Sequence, residues 1–149
     1  MPTNLYGPDD NFDLLSSHVL PALIVKAHNA KIAGKETLTL WGSGKPRREF
    51  LYVEDLADAC VFLIKNYSGD NILNVGYGSD ITIRELAEIV SDVVGFKGEF
   101  AYDLQKPDGT PQKLLDFTRL RSLGWRASTD LRTGIAKTYK WYLQNEASR

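Results

Sequence analysis

The sequence predicts a single domain of mixed α/β class, and three observations support this prediction. Helical spacing of apolar residues alternates along the chain with short segments typical of β-strands. The strands are few and scattered, so a complete doubly wound sheet is not expected. The length of 149 residues is enough for one domain with a hydrophobic core.

The first helix is predicted over about 18–30, after an entry segment and a turn. Apolar residues recur there at helical spacing. Ser16 or Ser17 is expected to cap the N-terminus of this helix. Pro21 then lies in the first turn, where its missing N–H costs little. His28, further along the same helix, is expected to be exposed to solvent.

Two strands and a second helix are predicted next. Alternating apolar residues predict strands over 37–41 and 49–53, separated by a glycine loop. A helix follows over about 54–66. One side of this helix carries Leu56, Ala57, Cys60, Leu63 and Ile64, and Cys60 on this apolar stripe is expected to be buried in the core.

The second half of the chain continues the alternation. A strand is predicted over 71–75 and a helix over 82–94, where Thr82 and Glu85 form a capping box before an apolar stripe. The remaining predicted elements are a strand at 99–102, a polar loop at 106–113, a short helix at 118–123 and a last helix over 130–144.

The composition argues against several classes of protein. The formal net charge of −1 provides no overall field that would recruit nucleic acid or an anionic membrane. The longest apolar stretches are shorter than a membrane span, and the first residues lack the pattern of a signal peptide. The single cysteine excludes an internal disulfide. A cytoplasmic protein without nucleic-acid or membrane partners is therefore expected, and no metal site is predicted.

Three ordered stretches are distinctive: 2–8, 40–57, and 74–76 followed by 82–87. In this order they resemble the C-terminal half of extended short-chain dehydrogenase/reductases that act on nucleotide sugars. The stretches 10–12, 17–23 and 106–116 narrow the resemblance to the GDP-L-fucose synthases. The resemblance covers essentially all of residues 2–145.

The resemblance implies that residues 1–149 are a single substrate-binding domain of a larger NADP-dependent enzyme whose Rossmann half is largely absent. Such an enzyme epimerises GDP-4-keto-6-deoxy-D-mannose at C3 and C5 and reduces C4 with NADPH. Gly42-Ser43-Gly44 is not followed by a helix that would bind pyrophosphate, and the Tyr102 to Lys106 spacing does not fall on a helix. The 149 residues alone are therefore expected not to catalyse the reduction. The family is usually homodimeric, and the oligomeric state of this chain stays open.

His18 is the candidate catalytic residue. Epimerisation next to a ketone needs a proton removed from one face of the ring and returned on the other, and imidazole changes charge near neutral pH. The resemblance implies that His18 performs this acid/base step. Without the resemblance, His18 is simply a polar residue near the start of a helix.

The candidate substrate-binding cations are Lys26, Arg48 and Lys113. A GDP-sugar carries a charged diphosphate, which Arg and Lys bind. Lys26 lies two turns beyond His18, on roughly the same side of the helix. The resemblance implies that these cations contact the diphosphate or ribose, and that His18, Lys26 and Arg48 converge on one cleft. Otherwise each is an ordinary surface cation.

The remaining candidates are implied by the resemblance alone. Trp41 is expected to pack on the sugar or base, with core packing as the alternative, and Asp108 to bond sugar hydroxyls, with a turn aspartate as the alternative. Asn11 is expected to reach the substrate. The residues expected to touch the NADP(H) cofactor are Pro2, Thr3, Asn4 and Leu5.

Other functions remain open at this point. A related reductase or epimerase of a UDP- or dTDP-linked sugar shares much of the pattern, although the Ser17-His18 pair and the 106–113 loop favour a GDP-sugar. A non-catalytic module that binds a nucleotide sugar is the second alternative. A piece that binds no ligand is the third.

Overall fold

The computed structural model describes residues 1–147 and has the mixed α/β class that the sequence predicts. No helix in this range is both long and apolar enough to cross a bilayer. The helices are α1 (Val19–Ile32), α2 (Val53–Asn66), α3 (Ile83–Val94), α4 (Thr118–Ser122) and α5 (Leu131–Asn145). The strands are β1 (Asn4–Tyr6), β2 (Thr37–Trp41), β3 (Arg47–Arg48), β4 (Phe50–Tyr52), β5 (Ile81–Thr82), β6 (Glu99–Asp103) and β7 (Gln112–Lys113).

The strands form three small sheets. β1 pairs with β4 in parallel, and β2 pairs with β6 in parallel over five residue pairs. β3 lies between β5, which is antiparallel to it, and β7, which is parallel. Only Glu49 separates β3 from β4, so the chain passes from one sheet to another within a single residue. The strand predicted over 49–53 is confirmed at Phe50–Tyr52, whereas the two-residue strand β3 before it was not predicted.

The larger core lies between α1, α3 and α5. The capping box is confirmed: Glu85 donates its backbone N–H to Thr82 Oγ1 at 3.1 Å, and Thr82 donates its own to Glu85 Oε2 at 2.7 Å. Helix α3 ends at Gly95, whose φ of 82° is the left-handed conformation that glycine adopts readily. The buried apolar stripe of α3 is Leu86, Ala87, Val90 and Val94.

A smaller core lies beneath the β1–β4 pair. It consists of Leu51, Ala59, Val75, Leu120 and Trp125. At its margin the buried Asp55 carboxylate accepts hydrogen bonds from the backbone N–H groups of Ser128 and Thr129, at 3.3 and 3.0 Å. These bonds join α2 to the segment before α5 and satisfy a charge that would be costly to bury alone.

Two predictions about this smaller core are wrong. Helix α2 buries Asp55 and Ala59, whereas Cys60 is exposed and Ile64 is 84% exposed. The hydrogen bonds to Asp55 fix the rotation of the helix, so that Leu56 and Leu63 pack against the smaller core while Cys60 and Ile64 face solvent. The predicted strand over 71–75 is also absent, because only Val75 forms a bridge, with Pro2.

Two predictions about α1 are wrong as well. His18, not Ser16 or Ser17, occupies the N-cap position, and its side chain makes no capping hydrogen bond. The serines belong to a preceding turn, in which Ser17 donates its backbone N–H to the Asp13 carbonyl at 2.8 Å. His28 is 7% exposed rather than solvated, because α5 packs over it.

Candidate functional site

A cavity of about 600 Å³ opens where β1, the start of α1 and the β3–β7 pair meet. The passage of the chain from β3 to β4 creates this meeting point, since Arg48 ends β3 while Phe50 pairs with Asn4 of β1. The lining residues are Thr3, Asn4, Leu5, Asp10, His18, Val19, Leu20, Pro21, Arg48, Phe50 and Lys113. Six of the residues predicted to form the site therefore share one cavity: Thr3, Asn4, Leu5, His18, Arg48 and Lys113.

His18 lies at the N-terminus of α1, in the N-cap position. Its backbone has φ −70° and ψ 167°, an extended conformation, and the first helical residue follows it. The side chain is exposed to solvent, in contact with the cavity rather than with the core. An exposed imidazole at this position is free to exchange protons with a bound molecule.

Arg48 and Lys113 are neighbours across the β3–β7 pair, because the register sets them directly opposite each other. Within residues 1–147 neither side chain makes a salt bridge. The adjacent Arg47, by contrast, is paired with Asp80 at 2.8 Å. Two cations without carboxylate partners, on one edge of a cavity, form a site suited to a diphosphate.

Asp10 is the one carboxylate among the lining residues of this cavity, and the sequence analysis missed it. Its Oδ1 accepts the backbone N–H of Asn11 at 2.7 Å. Burial raises the pKa of the Asp10 carboxyl, while the Asn11 N–H and the charge of His18 act in the opposite direction. A carboxylate close to a histidine and flanked by turn residues is the signal that the sequence offered.

Thr3 and Asn4 are held against the break between β3 and β4. Asn4 Nδ2 donates to the Glu49 carbonyl at 2.7 Å, and Thr3 Oγ1 donates to the same oxygen at 3.3 Å. Leu5 packs against the smaller core while it also lines the cavity. Pro2 does not line the cavity and instead pairs with Val75. This wall of the cavity is therefore tied to the segment between β3 and β4.

Glu49 is a second residue that sequence analysis missed. Its side chain is fully buried, and its carboxylate accepts the N–H groups of Gly78 at 2.7 Å and Leu115 at 3.1 Å. A Cβ at Gly76 would collide with this carboxylate, so the second Gly-x-Gly of the chain, 76–78, packs around Glu49. Neither this segment nor Gly42-Ser43-Gly44 leads directly into a helix.

Lys26 and Trp41 lie in an adjoining hollow of about 210 Å³ rather than in the His18 cavity. Val19 lines both hollows, so they share a wall. Lys26 Nζ stands 4.6 Å from the centroid of the Trp41 ring, and Lys106 Nζ stands 5.2 Å from it. Trp41 is 58% exposed, which rules out core packing. Burial lowers the pKa of Lys26.

Asp108 and Asn11 line neither hollow. The Asp108 carboxylate accepts the backbone N–H of Ser43 at 2.6 Å and its hydroxyl at 2.7 Å, and these bonds lower the pKa of Asp108. Asn11 donates to Ser16 Oγ at 2.9 Å and accepts the backbone N–H of Asp13 at 3.0 Å. Both side chains therefore hold loops in place beside the site.

Comparison with known proteins identifies a matching family and several similar proteins. Residues 1–76 match the model of the NAD dependent epimerase/dehydratase family. The chain is 57% identical over 149 residues to GDP-L-fucose synthase 1 of Arabidopsis thaliana. The alignment covers all of this chain and 46% of that protein. It is 58% identical over 147 residues to a GDP-L-fucose synthase of Sinorhizobium fredii, covering 99% of this chain and 47% of that protein.

Solved structures agree with these relatives. A GDP-L-fucose synthetase of Naegleria fowleri bound to NADP superposes with a TM-score of 0.90 at 32% identity, over 97% of this chain and 46% of that one. The chain spans about half the length of the curated relatives it matches.

Proposed function

The chain belongs to the NAD dependent epimerase/dehydratase family, and from this premise we propose that it is the GDP-sugar-binding part of a GDP-L-fucose synthase. Two relatives at 57% and 58% identity carry that name. The proposed reaction of the whole enzyme inverts C3 and C5 of GDP-4-keto-6-deoxy-D-mannose and then reduces C4 with NADPH.

The observation that carries this proposal is the single cavity shared by His18, Arg48 and Lys113. A diphosphate needs cations that are not already neutralised, and Arg48 and Lys113 make no salt bridge in the described part of the chain. The sugar attached to such a diphosphate then lies within the same cavity as the imidazole. The site thus combines anion binding with a group able to move a proton.

The proposed part of His18 is proton transfer at the sugar ring. Carbon atoms next to a ketone are acidic because the resulting enolate spreads its charge onto oxygen. Inversion requires that one group removes the proton and that another group returns one from the opposite face. The exposed imidazole at the N-cap of α1 supplies one of these two groups.

NADPH supplies the hydride for C4 when it is bound. Thr3, Asn4 and Leu5 fit one edge of such a cofactor, because they form one wall of the cavity. None of the three is a cation, so they contribute packing and hydrogen bonds rather than phosphate binding. We assign no cofactor contact to Pro2, which lies outside the cavity wall.

Trp41 and Lys26 are proposed to extend the substrate site into the adjoining hollow. A ring that is exposed and flanked by two ammonium groups offers a flat surface for a base or sugar next to positive charge. Asp108 and Asn11 support the site through the loops that they hold together.

Calorimetry tests the binding proposal on the chain itself. We expect GDP-mannose to bind and UDP-glucose to bind more weakly. Arg48→Ala should weaken GDP-mannose binding about tenfold or more, since it removes a charged contact to phosphate. Arg132→Ala is the matched control, because Arg132 pairs with Asp92 on the surface and does not line the cavity. Equal affinity for both nucleotide sugars, or equal effects of the two variants, contradicts the proposal.

A chimera tests the activity. In the chimera, the 149 residues of this chain replace the matching residues of the Arabidopsis thaliana relative. We expect NADPH oxidation with GDP-4-keto-6-deoxy-D-mannose by the chimera and none by the 149 residues alone. A chimera that folds and binds GDP-mannose but never oxidises NADPH supports a non-catalytic binding module instead.

A further inference from the structure

The charges around His18 are unbalanced. Arg48 and Lys113 line the same cavity, and both are cations. His18 also caps α1, where the helix dipole places partial positive charge. All three features place positive charge near His18. Asp10 is the only acidic side chain among the lining residues of this cavity.

Asp10 also has an unused hydrogen-bond acceptor. Its Oδ1 accepts the Asn11 N–H, whereas its Oδ2 is buried and has no hydrogen-bond partner among the described residues. The other buried side-chain atoms of this kind in residues 1–147 are the hydroxyls of Ser17 and Ser91. A carboxylate oxygen removed from water without a donor is costly, so a donor is expected in the working site.

The buried carboxylates of Glu49 and Asp55 differ from the half-buried Asp10 in this respect. Both oxygens of Glu49 accept backbone N–H groups, and both oxygens of Asp55 accept donors from Ser128 and Thr129. These two side chains are saturated and hold the fold together. Of these three carboxylates, Asp10 is the one that has a buried oxygen without a partner in residues 1–147 and that lines the cavity.

We propose that Asp10 is a positioning residue for His18, whose imidazole N–H donates to Asp10 Oδ2 when the ring turns towards it. The bond fixes the ring orientation, so that the other ring nitrogen faces the bound sugar. The contact between Asp10 and His18 does not depend on the proposed function. The proton transfer to the sugar, described next, rests on it.

In its protonated form, the ring held in this way is the group that returns the proton to the sugar. The N–H bond of the imidazolium breaks as a C–H bond forms at the sugar carbon. The electron pair of the enolate takes the proton and the ketone is restored. The electron pair of the broken N–H bond stays on nitrogen, which leaves a neutral imidazole.

Titration of the Asp10 carboxyl by carbon NMR tests the pairing without any substrate. His18→Gln removes the charge that lowers the pKa of Asp10, so this pKa should rise further above its ordinary value. His28→Gln, on the same helix, should leave it unchanged. An Asp10 pKa that is the same in wild type and His18→Gln overturns the proposal. A failure of the proposed function appears separately, as loss of GDP-mannose binding in the unmodified chain.

Proton exchange at C3 and C5 in deuterated water tests the consequence in the chimera. Asp10→Asn should slow exchange about tenfold or more, within the range that acid/base catalysis contributes, with little change in KM. Asp10→Glu should recover part of the rate. Asp9→Asn is the matched control, because Asp9 does not line this cavity. If Asp10→Asn slows exchange no more than Asp9→Asn, or raises KM instead, Asp10 does not position His18.

Discussion

The two histidines of α1 show how one helix serves two purposes. His18 occupies the N-cap position, is exposed, and lies in a cavity with two cations that make no salt bridge within residues 1–147. His28 is buried, with its Nδ1 3.0 Å from the Tyr139 hydroxyl and its ring 5.3 Å from that of Tyr142. The residue type is the same, but the first contacts solvent and the second contacts α5. Burial, rather than identity, therefore separates a group that can move protons from one that holds two helices together.

The sharpest test of this difference is His18→Gln in the chimera. Epimerisation, followed as proton exchange at C3 and C5, should fall on the order of 10²- to 10⁴-fold, because an acid/base group is lost. Thermal unfolding should be unchanged, since the side chain is exposed. A variant that keeps normal exchange removes His18 from the chemistry.

His28→Ala should have the opposite profile. The change leaves a cavity between α1 and α5 and deprives the Tyr139 hydroxyl of its partner, so the free energy of unfolding should fall by about 2 kcal/mol. GDP-mannose affinity should not change. Urea denaturation measures the first quantity and calorimetry the second. Asn29→Ala, at the exposed neighbouring position, is the control and should have little effect on either.

These two variants also show what the sequence can predict. The helices followed from apolar spacing and from local signals such as the Thr82–Glu85 capping box, because all the interacting groups lie within a few residues. The burial of His28 depends on Tyr139, 111 residues away. The rotation of α2 depends in the same way on bonds from Asp55 to Ser128, 73 residues away. Local sequence patterns do not identify partners that lie so far away in the sequence.

The residues of the site show the same division between what local motifs predict and what depends on distant partners. His18 and Arg48 were expected from long motifs, and the cavity brings them together with Lys113. The pairing of Arg48 with Lys113 comes from strand register, which no local pattern specifies. Lys26 was expected in the same cleft, but eight residues turn an α-helix by about 80° beyond two full turns, so it reaches the next hollow.

The pH dependence of stability sharpens the comparison further. Burial, and to a smaller extent the charge of Lys31, lowers the pKa of His28 below its ordinary value of 6.5. Below that value the unfolded chain binds a proton that the folded chain does not, so acidification should reduce the free energy of unfolding. Wild type should therefore lose more stability than His28→Gln between pH 7.5 and pH 5.5, as measured by urea denaturation at both pH values. If the free energy of unfolding falls equally in wild type and His28→Gln, burial of His28 does not contribute to the pH dependence of stability.

Lys26 tests how far along α1 the substrate-binding surface extends, and the expected effect is the smallest. Lys26→Met keeps the aliphatic stem beside Trp41 but removes the charge. GDP-mannose affinity should fall about two- to fivefold, which is typical for one partly exposed charge. Trp41 fluorescence during the titration reports whether the adjoining hollow is occupied. An unchanged affinity places the boundary of the site before Lys26.

The most direct test of the account follows the ring resonances of both histidines during one NMR titration of the chain with GDP-mannose. The account predicts saturable changes at His18 that share one affinity with the backbone signals of Arg48 and Lys113, while the His28 ring stays unchanged. Changes at His28 alone, or binding that leaves the His18 ring unaffected, would contradict the claim that His18 and the two cations form one nucleotide-sugar site.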